Sequence, residues 1–159
     1  MLILKLLILL TLANGAPVLL KKLLGQRFGW PLDGGLRFFD DQPLLGHSKT
    51  VRGLLGAILV TALGGAVTGL GWQIGALVGS TAVLGDLFSS FLKRRLKLPP
   101  SSRATGLDQL PESLFPVLAC QSLLDLTLFE GAVIVAVFFT SEVVFSPLFY
   151  RLGLRDQPY

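Results

Sequence analysis

Between Arg52 and Asp86 lie 33 residues, Gly53 to Gly85, without one charged side chain. A membrane-spanning helix needs about 20 apolar residues. The stretch is therefore too long for one span and, extended to Leu92, fits two, with Gly69-Leu70-Gly71 as the natural turn. The rest of the chain agrees with a bilayer as solvent. Of its 159 residues 52% are hydrophobic and only 15% charged, and the mean hydropathy is +0.67, which excludes an ordinary water-soluble domain.

Further apolar blocks complete the pattern. The run MLILKLLILLTLANGAPVLL carries one early base, Lys5, and is followed by Lys21 and Lys22, so it reads as a retained anchor and not as a cleaved signal. A last block from Pro111 to Tyr150 has the length of a helical hairpin, with Glu130-Gly131 as the expected tip. Backbone polar groups cannot be left bare in lipid, so the spans should be helices. The expected fold is an all-α integral membrane protein, one domain over 1–159, with about five transmembrane helices near 2–20, 53–70, 72–92, 112–128 and 132–149 and motif-bearing cytosolic loops. With the N-terminus outside, segments 21–52, 93–111 and 150–159 face the cytosol and hold all of the Lys and Arg except Lys5. The positive-inside rule then fixes the orientation in an inner membrane, C-terminus cytosolic.

Glycines recur at Gly71, Gly75 and Gly79 on the third span, a spacing that lets helix backbones approach closely. They can pack one bundle or join copies, so a homo-oligomer is possible. Asn14 and Pro17 in the first span are read as packing features. Cys120 is the only cysteine and His47 the only histidine, which removes intrachain disulfides, thiolate zinc sites and multi-histidine centres. The bases are clustered without interleaved aromatics, which suits lipid headgroups and phosphates and gives no case for nucleic acid.

One segment concentrates the chemistry. An ionisable side chain inside an apolar span is costly, which makes Asp86 a functional candidate. Seven residues on, roughly 10 Å along one helix face, stands Lys93, with Ser89 and Ser90 between and Arg94, Arg95 and Lys97 beyond. The bland alternative is that these bases only snorkel to anionic lipid. Upstream, loop 21–52 supplies Asp33, Asp40, Asp41 and GHSKTVRG, where Lys49 and Arg52 flank hydroxyls just before a helix. Such a helix start attracts phosphate. Ser48 and Thr50 could donate to phosphate oxygens and serve equally well as N-caps. The spacing is not that of a Walker phosphate loop. Oxygen donors without sulfur suit Mg²⁺ or Mn²⁺. Asp86 and Asp108 are the best ligand candidates, with Glu112 a third.

In this order, GHSKTVRG, GDLFSSFLKRRL and GLDQL resemble the archaeal CDP-archaeol synthases, members of the wider CTP:phosphatidate cytidylyltransferase superfamily. LANGAPVLL, PLDGGLRFFDDQPLLG and the terminal YRLGLRDQPY extend the resemblance over nearly the whole chain. The family's first motif is closer to GDGKTWRG, where this chain has His47, Ser48 and Val51. Its LDQLD appears here with Pro111 in the second acid's place and Glu112 next. The resemblance implies transfer of CMP from CTP to a lipid phosphate, giving a CDP-lipid and pyrophosphate. It implies that Asp86 and Asp108 hold Mg²⁺ and that Lys49, Arg52, Lys93 and Arg94 neutralise the pyrophosphate, with Ser48, Thr50, Ser90 and Arg95 as further substrate contacts. Two rivals remain open: a CTP-dependent lipid kinase and a non-enzymatic lipid-binding or transport protein.

Overall fold

The computed structural model describes residues 1–100, 102 and 104–151, apart from the side chains of 147–149 and 151; most of the terminal motif at 150–159 lies outside this range. Among the described residues there are five helices, α1 Leu2–Leu24, α2 Val51–Val67, α3 Trp72–Arg95, α4 Gln109–Cys120 and α5 Leu128–Arg151. By length and composition α1, α3 and α5 can cross a membrane, and α2 is a shorter apolar helix.

The turn between α2 and α3 falls at the expected glycines. Gly69 and Gly71 take the positive φ values 74° and 91° that L side chains avoid, and the amides of Leu70 and Gly71 both donate to Gly65 O. The fourth span departs from expectation. α4 is only 12 residues, roughly 18 Å at 1.5 Å per residue, and ends at Cys120, well before the expected 128. The hairpin tip is not Glu130-Gly131 but the non-helical 121–127. The reason is a capping box. Thr127 Oγ1 accepts from Glu130 N at 3.2 Å while Glu130 Oε2 accepts from Thr127 N at 3.0 Å, and this reciprocal pair starts α5 at Leu128.

The central helix is α3, which packs against α1, α2 and α4. Its glycines are used inside the bundle. A Cβ at Gly75 or Gly79 would strike Thr61 on α2, so α2 and α3 touch backbone to backbone. One turn and a half further, Gly85 gives α4 the same access. The buried core joins Leu6, Leu9 and Leu10 of α1, Val78 and Ala82 of α3, Cys120 of α4, and Ile134 and Phe138 of α5. This packing brings the C-terminal ends of α1 and α3 and the N-terminal ends of α2 and α4 together, and both polar loops meet there.

Candidate active site

Loop 25–50 is folded by its own backbone. Leu32 N donates to Lys49 O at 2.7 Å and Val51 N to Trp30 O at 3.1 Å, so the two ends of the loop run together into α2. Thr50 caps that helix, its hydroxyl accepting from Gly53 N at 3.2 Å. The middle is held by Asp33, a buried carboxylate that accepts from the amides of Gly35, Leu45 and Gly46 at 3.0, 2.9 and 3.0 Å. Burial alone would raise its pKa, but these backbone donors outweigh it and hold the carboxyl below the usual range. A carboxylate with a depressed native pKa stabilises the fold above its unfolded value and loses that contribution as pH falls through the native one. Hydrogen exchange at Leu45 and Gly46 should therefore accelerate on strong acidification before exchange at core residues such as Val78.

That loop delivers Lys49 to α3. Its ammonium contacts both oxygens of Asp86, at 2.7 and 2.6 Å. Burial would lower the pKa of Lys49, but Asp86 first, then Glu112 and Asp108, act together to hold it above its usual range. The second loop, 96–108, is tied down by the next bases on α3. Lys93 Nζ lies 2.6 Å from Asp108 Oδ1 and donates to Ser102 O. Asp108 Oδ2 accepts from Ala104 N at 3.0 Å. Arg94, almost fully buried, donates to Pro99 O at 2.7 Å. Arg95 bonds Asp40 and Pro43 O, both at 2.7 Å, with its guanidinium over the rings of Phe38 and Phe91.

Two adjoining cavities of about 380 and 210 Å³ share Lys21, Ser48, Lys49 and Asp86. The larger is also lined by His47, Thr50 and Arg52; the smaller adds Glu112 and Asn14, whose side-chain amide donates to Glu112 Oε2 at 3.4 Å. Of the residues expected from sequence, the structure thus gathers Ser48, Lys49, Thr50, Arg52, Asp86 and Glu112 around these two adjoining cavities. Among the described residues, Asp108, Lys93, Arg94, Arg95 and Ser90 are not in their lining. Ser90 is buried, and the other four bind the two polar loops to α3. Glu112 shares the smaller cavity with Asp86, because α4 lies against Gly85 and presents its first turn there.

The sequence pattern does not mark Lys21, His47 or Asn14 as site residues. For Asn14 the LANGAPVLL segment is a signal, but a lone amide in an apolar helix has packing as its ordinary role. Among the described residues no three acidic, histidine or cysteine side chains cluster closely enough to hold a metal by themselves. The chemistry nevertheless fits a hard cation. Asp86, Glu112 and the Asn14 amide supply oxygen donors, and the ammonium gripped by both Asp86 oxygens shows that positive charge is favoured there.

Comparison with known proteins gives a consistent result. The family model described as CDP-archaeol synthase, CarS-like, matches residues 70–159. The chain is similar to the CDP-archaeol synthase of Sulfurisphaera tokodaii, 34% identical over 92% of this chain and 89% of that one. It is similar also to that of Thermofilum pendens, 36% identical over 92% and 75%. A solved structure described as an intramembrane enzyme for archaeal membrane lipids biosynthesis matches with a TM-score of 0.74 and 25% identity, covering 88% of this chain and 89% of that one.

Proposed function

We propose, from the premise that this chain belongs to the CDP-archaeol synthase family, that it transfers CMP from CTP to an archaeal-type lipid phosphate at the membrane face bearing its polar loops. The carrying observation is the Lys49–Asp86 pair, set at the wall of a polar cavity at the end of an apolar bundle. A lipid can keep its tails beside the helices while its phosphate enters from the bilayer plane and the nucleotide enters from water.

The second ionisation of a phosphomonoester has a pKa of about 6, so the attacking oxygen already carries charge at neutral pH and no general base is required. It forms a bond to the α-phosphorus of CTP as the bond from that phosphorus to the bridging oxygen breaks, and pyrophosphate leaves with the electron pair. The task of the protein is then positioning and charge stabilisation. Lys49, Arg52 and Lys21 face the cavity from three elements and would meet the phosphates, with Ser48 beside them. Thr50 fixes the helix start at which an anion is favoured. Lys93, Arg94 and Arg95 act one step removed, by holding the loops that shape the site.

Asp86 and Glu112 would hold Mg²⁺ or Mn²⁺, and Asp108 would add to the negative field felt by Lys49. A bound divalent ion would supply neutralisation of the triphosphate. The orientation follows from the bases: loops 25–50 and 96–108 cytosolic, the N-terminus outside.

Purified protein given CTP and a lipid phosphate should move label from the α-phosphorus, and none from the γ-phosphorus, into lipid, and a chelator should stop the transfer. Label arriving from the γ-position would make the protein a lipid kinase. No transfer from either position, with lipid binding intact, would leave a scaffold or transporter.

A further inference from the structure

Phe28 has a left-handed backbone, φ 57°, a conformation that bulky side chains rarely accept and that marks a position fixed by its surroundings. Here the surroundings are explicit. Arg27 N donates to Leu24 O and Gly29 N to Gln26 O, while the Arg52 guanidinium donates to Gly25 O at 3.0 Å and Arg27 O at 2.6 Å. The turn that ends α1 is thereby locked with the Phe28 ring outward. Trp30 joins it edge to face, centroids 6.2 Å apart at 89°. Yet this fixed pair buries little of itself: Phe28 is 60% and Trp30 68% exposed.

The rings overhang an apolar groove of about 430 Å³, walled by Leu20, Val51, Leu55 and Leu59, with Arg52 its one charged lining residue. The groove lies beside the first turns of α2 and runs into the exposed row Leu55, Leu59, Leu63, the face that α2 turns to lipid. Beside the rings stands Arg52, a charge that suits an anionic headgroup. An amphipathic aromatic at the end of a spanning helix belongs at the bilayer interface.

We infer that the Phe28–Trp30 pair and the groove beneath it seat a hydrocarbon chain of a bilayer phospholipid, in the leaflet on the side of the polar loops. The seat has a consequence for the cavity. Gly25, Gln26 and Gly29, from the same turn, form part of its wall, so a lipid under Phe28 and Trp30 holds that wall at the membrane plane.

The test is spectroscopic and does not depend on activity. In a Trp72→Phe variant Trp30 is the only tryptophan; the difference between the wild-type chain and Trp30→Phe isolates the same signal if the first variant does not fold. In vesicles of phosphatidylglycerol and phosphatidylcholine, bromine placed near the headgroup end of the chains should quench Trp30 emission about twofold or more, whereas aqueous iodide should leave it almost unchanged. Quenching by iodide, or emission indifferent to brominated chains, would overturn the assignment and leave the pair exposed to water or covered by another part of a protein.

Discussion

Asp86→Asn is expected to reduce CMP transfer by about a hundredfold to a thousandfold, the scale seen when one preorganised electrostatic group is removed from a transition-state site. The exchange keeps the size and shape of the side chain but removes the charge. Both oxygens of Asp86 now hold the Lys49 ammonium, and the same carboxylate is the proposed ligand for a divalent ion. Its loss therefore frees Lys49 from its position and weakens the cation site at once. The fold should survive, because the side chain is 39% exposed and Glu112 and Asp108 still act on the Lys49 ammonium. Transfer of α-labelled CMP, measured beside the melting temperature in detergent, checks both halves. Turnover within about threefold of wild type would remove Asp86 from the site, since a loss that small falls well below the electrostatic scale.

The second large effect is structural. A Cβ at Gly85 would meet the backbone of α4, with Glu112 N only 2.7 Å away and the carbonyl of Pro111 closer still. Neither is a flexible side-chain end that can swing aside. Gly85→Val should force α3 and α4 apart, and overpacking of this kind costs about 1–3 kcal/mol or more when backbone must move. We expect a fall of several degrees in melting temperature, together with loss of CMP transfer, because Glu112 would be carried away from the cavity it shares with Asp86. Gly85→Ala should show the same effects in smaller degree. An unchanged melting temperature and normal transfer in the valine variant would mean that α4 does not lie where it has been placed.

These two positions are adjacent in sequence and were not equally legible. An acid at the end of an uncharged stretch draws attention because its burial is expensive, whereas a glycine among many glycines has no such mark until the helix that crosses it is known. The same difference runs through the basic cluster. Lys93, Arg94 and Arg95 form a conspicuous run, and charge alone suggests a grip on phosphate. In the folded chain they tie Asp108, Pro99 and Asp40 to α3, so the cations facing the cavity come instead from α1, the loop before α2, and α2 itself. Lys21 and Lys49 are 28 positions apart, and no periodicity relates them.

Local pattern determined the solvent, the helical character of the spans, the glycine turn between α2 and α3, and the presence of an acid and bases at one end of the bundle. Each follows from nearest-neighbour chemistry: hydropathy over a span length, backbone polar groups that must pair within a helix, and glycine where φ is positive. Tertiary packing decided which acid faces Asp86, which bases line the cavity and which brace its loops, and where the fourth helix stops. Those outcomes depend on how closely α3 lets α2 and α4 approach, and a linear order of residues does not contain the distance between two helices until their small residues have met.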